Sequence, residues 1–488
     1  MSLLLLSFLD SLSNADPHTL VVTSVCVVIA SLSFHSVINL TAYSSSGAQR
    51  QRNQRNAQAL AQTKQMNIKS KAIWDNSAPT AAPKFLHPLS VALTGARGMV
   101  GTGVISTLQK GGRCKHIVML DVLPEAEDFQ EEAKSMLKEY GVHLYYVCAD
   151  ITNKAAMCDP QGSVQQTLKK ANVQAMLHIA ALVGPFFPTP AYIKVNYTGT
   201  LHVVAACKVA GIGALVDCTS PSTRFDGSNI CGLNEQEVWV SLGETYQSLH
   251  EYARTKALGE QAVLQAAKDS QLSTCAVAPH QVYGPSDRLF LPALMRTAKK
   301  GVLRVMGHGN NCVSFTHESN IAHALLLAAG ALVAHVEWKQ AGSVDDGSTL
   351  ARFGQAGAKV NGEYMVVTDS TAEYPAGIAI NFWDAVDDAL QQTNIAPIRS
   401  GSKGVCRLPY YGLLLPLAYA GRLFTAMTGR FVKITPFTIR MLVIDRYFDI
   451  GKATSLLGYT PLVSFDDPNG WRAAVQAVYE RTAQEDGW

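Results

Sequence analysis

Residues 90–101 read SVALTGARGMVG, a short apolar strand pattern followed directly by a glycine-rich turn and a helical pattern. Each glycine has a physical task in this arrangement. Gly95 allows a tight turn, Gly98 lets backbone N–H groups approach a pyrophosphate, and Gly101 lets the helix pack closely on the strand. The helix N-terminus adds aligned N–H donors and a positive dipole. The stretch therefore predicts a dinucleotide-binding loop.

Six short runs rich in β-branched residues alternate with longer helical patterns over the first half of the folded sequence. Their almost continuous apolar character is typical of parallel strands that are covered on both faces by helices. The sequence therefore predicts an α/β fold with a Rossmann-like, doubly wound parallel sheet. The six runs are SVALTGA (90–96), HIVMLDV (116–122), HLYYVCAD (143–150), AMLHIAA (175–181), ALVDCTS (214–220) and TCAVAPHQVYG (274–284).

The chain of 488 residues is long enough for two or three domain-sized units. We expect a membrane anchor or targeting segment at 1–43 and a linker rich in Ser, Ala, Gln and Asn at 44–86. A dinucleotide-binding Rossmann domain is expected at 87–285, and a smaller substrate-binding C-terminal part at 286–488. Some strands and helices of this last part are expected to return to the main domain.

The N-terminal segment contains an uncharged run at 19–43, long enough to cross a bilayer as a helix of about 20 residues. Two aspartates precede the run, and six Lys or Arg residues follow it between 50 and 71. By the positive-inside rule, a transmembrane helix here leaves the globular part in the cytosol, and we expect an anchor in the endoplasmic reticulum membrane. A cleaved signal peptide and an organellar transit peptide are the alternatives.

Composition narrows the function classes. The chain is 48% hydrophobic and 16% charged with a net charge of +3, and no basic stripe interleaves with aromatic residues, so nucleic-acid binding is not expected. The ten cysteines include no Cys-x-x-Cys pair, and His317 and His323 are not spaced to share a helix face. We expect no metal site and a reducing compartment.

The part after residue 286 is less regular. It predicts a turn cluster at 306–311, a helix around 319–333 and a polar insertion around 335–362. The run LPYYGLLLPLAYAG at 408–421 is apolar but short for a membrane span. It can lie in the membrane interface, cover a substrate pocket or form a plain buried helix.

Tyr252 and Lys256 are four residues apart in a helical pattern, hence one turn apart on one face. A nearby ammonium favours the phenolate and lowers the tyrosine pKa, as proton abstraction from an alcohol requires. The alternative is a coincidence on a helix surface. Ser220 ends the fifth strand pattern, where its hydroxyl can bind a substrate oxygen or simply form a turn.

Asp121 ends the second strand pattern, where an acidic residue can bind both ribose hydroxyls. Its carboxylate would repel a 2′-phosphate, so NAD is favoured over NADP. Arg97, inside the glycine loop, favours NADP instead, because its guanidinium could reach a 2′-phosphate. Asp150 ends the third strand pattern and either forms a turn or contacts adenine.

The glycine loop, the strand-end hydroxyls and Tyr-x-x-x-Lys, in that order, resemble the extended short-chain dehydrogenase/reductase family. The more specific resemblance is to its 3β-hydroxysteroid dehydrogenase group, which includes the decarboxylating sterol-4α-carboxylate 3-dehydrogenases. It spans about residues 90–470. Each further motif is weak alone, but together in this order they are specific. They include HIAA (178–181), VNYTGT (195–200), VYGPSD (282–287), MGHGNN (306–311) and LGYTP (457–461).

In such enzymes a tyrosine takes the proton of the substrate hydroxyl, a lysine lowers the pKa of that tyrosine and binds the nicotinamide ribose, and a serine holds the substrate oxygen. The resemblance gives these roles to Tyr252, Lys256 and Ser220, with Thr219 and Ser222 as stand-ins for the serine. It implies NAD as cofactor, with NADP as the alternative. The implied cofactor-binding residues are Gly95, Arg97, Gly98, Met99, Gly101, Asp121, Asp150, Ile151, Ala180, Ala181, Asn196, Lys256, Pro279 and Val282.

The resemblance implies oxidation of the 3β-hydroxyl of a sterol, specifically of a 4α-carboxysterol that then loses carbon dioxide. The expected partners are a sterol or another small lipophilic substrate and a membrane, and a homodimer is the expected assembly. Three other hypotheses stay open. They are a 3β-hydroxy-Δ5-steroid dehydrogenase/isomerase, an enzyme acting on nucleotide sugars or flavonoid-type ketones, and a catalytically silent NAD-binding scaffold at a membrane.

Overall fold

The computed structural model describes most of the chain from residue 88 onward. The predicted anchor at 1–43 and the linker at 44–86 lie outside the described residues. The described ranges are 88–110, 114–184, 187–237, 250–268, 271–370, 377–393, 395, 407–408, 413–428 and 435–488.

The described strands include all six that the sequence predicts, although their ends shift by a few residues. In chain order the strands are β1 Leu89–Thr94, β2 Cys114–Asp121, β3 His143–Cys148, β4 Ala175–His178, β5 Ala214–Cys218, β6 Ile230–Leu233, β7 Ser273–Pro279, β8 Val282–Tyr283, β9 Val305–Met306, β10 Cys312–Val313, β11 Thr316–His317, β12 Tyr364–Val367, β13 Ile380–Asn381, β14 Arg407–Leu408 and β15 Arg446–Phe448.

Seven of these strands form the main sheet in the order β12-β7-β5-β4-β1-β2-β3, and every neighbouring pair is parallel. The chain adds β2 and β3 on one side of β1 and the later strands on the other side. This reversal of strand order is the switch point at which doubly wound sheets bind ligands. β1 and β7 are buried at every residue, as expected when helices cover both faces. The predicted Rossmann-like α/β fold is confirmed. Its seventh strand, β12, comes from the C-terminal part of the chain.

Helices lie on both faces of this sheet. The α-helices are α1 Met99–Lys110, α2 Phe129–Tyr140, α3 Lys154–Cys158, α4 Ser163–Lys170, α5 Thr189–Tyr192, α6 Thr200–Ala210, α7 Glu251–Ala266, α8 Phe290–Lys299, α9 Glu318–Gln340, α10 Thr349–Val360, α11 Phe382–Gln391, α12 Leu415–Thr428, α13 Pro436–Arg440, α14 Gly451–Leu457 and α15 Trp471–Asp486. A π-helix covers Ile193–Gly199 and a 3₁₀ turn covers Pro221–Arg224. One buried apolar cluster joins the sheet to α1, α2 and α9, and a second joins its other face to α4 and α6.

The prediction of a polar insertion around 335–362 was wrong, because this stretch contains the end of α9 and the whole of α10. α10 was not predicted because two of the residues on its packing face are glycines. A Cβ on Gly357 would lie 2.0 Å from the carbonyl oxygen of Ala331, and one on Gly354 would lie 2.2 Å from Cβ of Trp338. The two helices therefore pack at close range through small residues rather than through a conspicuous apolar stripe.

α9 is the single described helix that is long and apolar enough to span a bilayer, and 83% of its most apolar window is buried inside the protein. It packs against the sheet on one side and against α10 on the other. Its apolar character is therefore explained by its place in the core, where a helix is surrounded by other elements.

A second sheet of four strands, in the order β13-β10-β15-β6, interleaves distant parts of the chain. β6 comes from the segment between Ser220 and Tyr252 and pairs in parallel with β15 near the C-terminus. A third core cluster, which contains the buried Trp383 and Trp471, fills the space between this region and α8, α11 and α15. This packing fixes the second sheet against α8, α11 and α15.

Candidate active site

The predicted site residues converge on one edge of the main sheet. β1, β2, β3, β4, β5 and β7 are parallel, so their carboxyl ends meet at this edge. The residues that end or follow these strands are Gly95, Asp121, Asp150, Ala180, Ala181, Ser220 and Pro279. Val282 lies just beyond, in β8. This arrangement makes the edge the candidate active site.

The glycine loop has a backbone that only glycine permits. Gly95 has φ +70°, and a Cβ there would lie 2.8 Å from Cα of Ala180. A Cβ on Gly101 would lie 2.3 Å from the carbonyl oxygen of Gly95. The amide of Gly98 donates to that same carbonyl at 3.1 Å, and Met99 opens α1 directly after it. The loop and helix N-terminus fit a dinucleotide pyrophosphate, because the glycines carry no side chain and the helix N-terminus supplies N–H donors.

Asp121 and Arg97 meet where the adenosine ribose is expected. The Asp121 carboxylate accepts the backbone N–H of Arg97 at 2.8 Å and that of Leu123 at 3.0 Å. The Arg97 guanidinium donates to the carbonyl of Pro124 at 2.6 Å, so it lies across the loop that follows β2. Each carboxylate oxygen of Asp121 has a further lone pair for a ribose hydroxyl. The geometry accordingly fits a ribose with free hydroxyls.

Three other residues of the predicted cofactor-binding set make contacts that stabilise the neighbouring loops and the π-helix. The Asp150 side chain accepts the amide of Thr152 at 2.8 Å, which is the geometry of a turn-forming aspartate. Ile151 is buried against the π-helix at Gly199. The side-chain amide of Asn196 exchanges two hydrogen bonds with the backbone of Leu182, at 2.8 and 3.1 Å. Asn196 thereby braces the loop that contains Ala180 and Ala181.

Ser220 begins the 3₁₀ turn that follows β5. Its hydroxyl caps the turn, accepting the backbone N–H of Ser222 at 3.3 Å and the Ser222 hydroxyl at 3.0 Å. Thr219, one of the two stand-ins, instead donates to the buried carboxylate of Glu260 at 2.9 Å. The two serine hydroxyls are therefore directed toward Tyr252, whereas the Thr219 hydroxyl is engaged by Glu260.

Tyr252 lies in the first turn of α7, and His250 caps that helix by accepting the Tyr252 amide at 3.0 Å. Burial raises the pKa of the Tyr252 hydroxyl, while the Lys256 ammonium and hydrogen bonding to Ser220 and Ser222 lower it in part. The expected lowering by Lys256 is therefore present, but desolvation outweighs it and the net shift is upward. The same interactions bring the three hydroxyls and the ammonium together.

Lys256 is almost fully buried one turn further along α7. Its ammonium donates to the Cys218 carbonyl at 3.0 Å and lies 3.7 Å from the Asp217 carboxylate. Burial acts to lower the pKa of Lys256, but the negative charges of Asp217 and of an ionised Tyr252 more than offset this effect, so the pKa is raised. The lysine is consequently held as an ammonium beside the tyrosine.

Several contributors escaped the sequence analysis. Glu260, one turn after Lys256, forms an ion pair with Arg224 at 2.5 Å, and both side chains are fully buried. Asp217 contacts Lys256 from β5. The signals were a carboxylate inside an apolar strand pattern and a third polar residue at four-residue spacing along α7. These side chains lie behind the hydroxyl groups rather than among them.

Aromatic rings surround the approach to Tyr252. The Tyr192 ring lies 6.2 Å from the Tyr252 ring, and His250 stacks on Phe437 at 4.9 Å. On the loop after β4, Phe187 is exposed and packs edge-on against Tyr192 at 5.8 Å. Such a surrounding favours a substrate with a large apolar body over a highly hydrated one.

Comparison with known proteins agrees with this geometry. The sequence profile of the 3-beta hydroxysteroid dehydrogenase/isomerase family matches residues 92–344. The 3beta-hydroxysteroid-dehydrogenase/decarboxylase isoform 1 of Arabidopsis thaliana is 28% identical over 382 residues, which cover 77% of this chain and 76% of the plant protein. A decarboxylating sterol-4-alpha-carboxylate 3-dehydrogenase of Saccharomyces cerevisiae is 26% identical over 381 residues, which cover 78% of this chain and 95% of the yeast protein.

A solved structure gives the same fold. The dTDP-glucose 4,6-dehydratase of Streptomyces venezuelae, crystallised with NAD, superposes with a TM-score of 0.54 at 16% identity, covering 81% of this chain and 98% of its own. At this identity the likeness concerns the fold alone. Because the family profile matches more than half of the residues, the chain belongs to the 3-beta hydroxysteroid dehydrogenase/isomerase family of NAD-dependent oxidoreductases.

Proposed function

We propose that this protein oxidises the 3β-hydroxyl of a 4α-carboxysterol with NAD and that the product loses its C4 carboxylate as carbon dioxide. The observation that carries the proposal is the convergence of Tyr252, Ser220 and Lys256 beside the glycine loop. The names of the plant and yeast relatives support the substrate class. The aromatic rings around Tyr252 suit a sterol body.

Each polar group of the site has a defined task in this reaction. Ser220 holds the 3β-hydroxyl oxygen by a hydrogen bond, and Tyr252 takes the hydroxyl proton as general base. The Lys256 ammonium stabilises the Tyr252 phenolate that accepts this proton, and it binds the nicotinamide ribose. The glycine loop holds the pyrophosphate and Asp121 the adenosine ribose. NAD bound there would supply the acceptor for the hydride that leaves C3.

Decarboxylation needs no second catalytic centre. Once C3 is a ketone, the C4 carboxylate belongs to a β-keto acid. The electron pair of the bond to the leaving carboxylate then moves into an enolate, and carbon dioxide departs. The negative oxygen at C3 is the one that Ser220 and the now protonated Tyr252 can hydrogen-bond, so the groups that assist oxidation also stabilise the enolate.

The test is a turnover assay on the purified protein in detergent. A 4α-carboxysterol, a 3β-hydroxy-Δ5-steroid and UDP-glucose are each offered with NAD, and the products are identified by mass spectrometry. We expect NADH and a 3-ketone that lacks the C4 carboxylate from the carboxysterol alone. Turnover of the Δ5-steroid with a shifted double bond would favour the dehydrogenase/isomerase alternative, which the name of the matched family supports. NAD binding without turnover of any substrate would favour the silent scaffold.

A membrane location is part of the proposal. α12 buries Ala418 and the preceding Leu414 against Ile439 of α13, yet leaves Leu423 and Met427 58% and 59% exposed on its other side. Leu417 and Tyr419 are also exposed. Seven Lys or Arg residues and no Asp or Glu lie between Asp388 and Asp445. An apolar helix face in a basic segment suits the surface of a bilayer.

α12 also lies close to the proposed substrate site, since α13 carries the Phe437 that stacks on His250. We therefore propose an endoplasmic reticulum enzyme whose residues 1–43 anchor it, whose catalytic part faces the cytosol and whose α12 rests on the bilayer that dissolves the substrate. The homodimer stays a prediction.

Four C-terminal fluorescent fusions test this location: the full chain and a chain without residues 1–43, each with or without Leu423→Glu and Met427→Glu. We expect reticular signal from the full chain, weaker membrane signal without residues 1–43, and cytosolic signal when both elements are changed. Uniform cytosolic signal from the full chain would contradict the anchor. Equal membrane signal with and without the two glutamates would contradict the role of α12.

A further inference from the structure

A buried carboxylate lies directly behind the Tyr252–Lys256 pair. Asp217 is in β5 and is 1% exposed. Its two neighbours in the strand, Val216 and Cys218, are buried hydrophobic residues. Neither of its carboxylate oxygens accepts a hydrogen bond from the described residues. Within the described part of the chain, the cation that reaches it is Lys256, whose Nζ lies 3.7 Å from Oδ1.

Folding alone does not explain an aspartate at this place. An ionised carboxylate that is buried without hydrogen bonds destabilises the fold even when a cation is near, and a well-packed apolar residue would not carry that cost. Buried charges with perturbed titration cluster at functional sites. Asp217 therefore calls for a role that a leucine could not perform.

We propose that Asp217 is a positioning residue that keeps Lys256 charged and holds its ammonium against the end of β5, where it can act on Tyr252. The inference deepens the proposed function and rests on the role given there to Lys256. The ammonium has three protons, and one is donated to the Cys218 carbonyl at 3.0 Å. The Asp217 carboxylate lies near the ammonium but does not accept a hydrogen bond from it. Two ammonium protons therefore remain for the ribose and the phenolate.

The other titratable groups near Lys256 raise its pKa less than Asp217 does. Glu260 is paired with Arg224 at 2.5 Å. Burial and the nearby Lys256 lower the pKa of His178 to about 3, so this ring is neutral at working pH. Burial raises the pKa of the Cys218 thiol to about 12, so it is neutral as well. Tyr252 carries a charge only as the phenolate. Burial raises the pKa of Asp217 and the Lys256 ammonium lowers it in part, so the carboxylate and the ammonium stabilise each other's charged forms.

The charge balance makes a specific prediction for the variant Asp217→Asn. Burial acts to lower the pKa of Lys256, and Asp217 is the largest of the charges that raise it. Without that carboxylate the lysine pKa falls, and the ammonium is lost as the pH rises. Oxidation in the unchanged enzyme gains rate with pH as the phenolate forms. In the variant we expect the ratio of kcat at pH 9.5 to kcat at pH 7 to be lower by ~10-fold or more.

Glu235→Gln is the matched control. Glu235 is also a buried carboxylate, 3% exposed, but it accepts the amide of Val366 at 2.8 Å and has no contact with Lys256. Its ratio of kcat between the two pH values is expected to equal that of the unchanged enzyme. If Asp217→Asn instead lowers kcat by one common factor at every pH, Asp217 is merely structural and the proposal is wrong.

A second readout needs neither cofactor nor substrate. The pKa of Lys256 in the unfolded chain is about 10.4. In folded Asp217→Asn we expect its pKa to be lower, so the folded protein releases this proton at lower pH than the unfolded chain does. The unfolded state then binds more protons, so the Tm of the variant rises with pH relative to the unchanged protein. Parallel Tm curves would overturn the proposal.

This readout separates the inference from the proposed function, because it holds even if the sterol is not turned over. Should Asp217→Asn fail to fold, Asp217→Leu replaces it in both measurements, since the leucine side chain is branched at the same carbon and has no polar atom.

Discussion

Arg224 and Glu260 form a fully buried ion pair with 2.5 Å between nitrogen and oxygen. Arg224 ends the 3₁₀ turn that Ser220 begins, and Glu260 lies on the helix that carries Tyr252 and Lys256. Thr219 and Thr223 donate hydrogen bonds to the same carboxylate, at 2.9 and 3.1 Å. The pair thus fixes the serine turn against the catalytic helix.

Breaking this pair should destabilise the protein strongly. Arg224→Met leaves the Glu260 charge buried without its partner, and we expect the free energy of unfolding to fall by ~3–5 kcal/mol. Urea unfolding followed by circular dichroism measures it. Adding Glu260→Gln to the same chain removes the orphaned charge and should recover part of the loss. A loss below about 1 kcal/mol for Arg224→Met would mean that the pair does not hold the turn.

Tyr252→Phe should separate catalysis from cofactor binding. The variant lacks the hydroxyl that takes the substrate proton, so kcat should fall by ~10²- to 10⁴-fold. The dissociation constant of NAD, measured by calorimetry, should change little because the pyrophosphate and adenosine contacts lie elsewhere. Turnover within a factor of ten of the unchanged enzyme would show that Tyr252 is not the base.

The pH dependence of oxidation should follow the Tyr252 phenolate. Burial raises the pKa of this group, and Lys256, Ser220 and Ser222 partly offset the rise. A general base works when deprotonated, so activity is present above the folded-state pKa and is lost as the pH falls through it. Ser222→Ala removes one hydrogen bond to the phenolate and should move the acid limb of kcat/KM to higher pH.

The size of that move is expected to be about 0.5–1 pH unit, since one hydrogen bond to the charged form is lost. Ser228→Ala, at an exposed serine beyond the turn, serves as control and should leave the profile in place. An acid limb that does not move in Ser222→Ala would show that this hydroxyl does not reach the reacting oxygen.

The cofactor preference should depend on Asp121. Asp121→Ser removes the negative charge that a 2′-phosphate would meet, while Arg97 stays in the loop beside it. We expect the ratio of kcat/KM with NADP to that with NAD to rise by ~10- to 100-fold. Glu125→Gln changes an exposed carboxylate of the same loop and should leave the ratio nearly constant. A constant ratio in Asp121→Ser would show that this residue does not set the preference.

The main sheet was predictable from the sequence to an unusual degree. Six of its strands are short, almost wholly apolar runs, because helices cover both faces, and the site residues follow from the shared edge of parallel strands. The seventh strand, β12, was missed because it directly follows the stretch taken for a polar insertion. α10 within that stretch was missed because its contact face is built on Gly354 and Gly357.

The inner charges of the site were not predictable in the same way. Spacing places Tyr252, Lys256 and Glu260 on one helix face, but it does not say which strand lies opposite. Asp217 and Arg224 meet this face only through the pairing of β5 with its neighbours and the turn that follows. Desolvation is likewise a property of the folded protein, so the upward shift of the Tyr252 pKa could not be read from the sequence.

The central claim is best tested with a 4α-carboxysterol that carries deuterium at C3 and ¹³C in the carboxylate. We expect the deuterium to appear in the reduced nicotinamide and labelled carbon dioxide to be released in equal amount, with NAD as the effective cofactor. Reduced cofactor without labelled carbon dioxide would restrict the enzyme to dehydrogenation. Neither product, from a protein that binds NAD, would contradict the sterol assignment and leave the family and the fold in place.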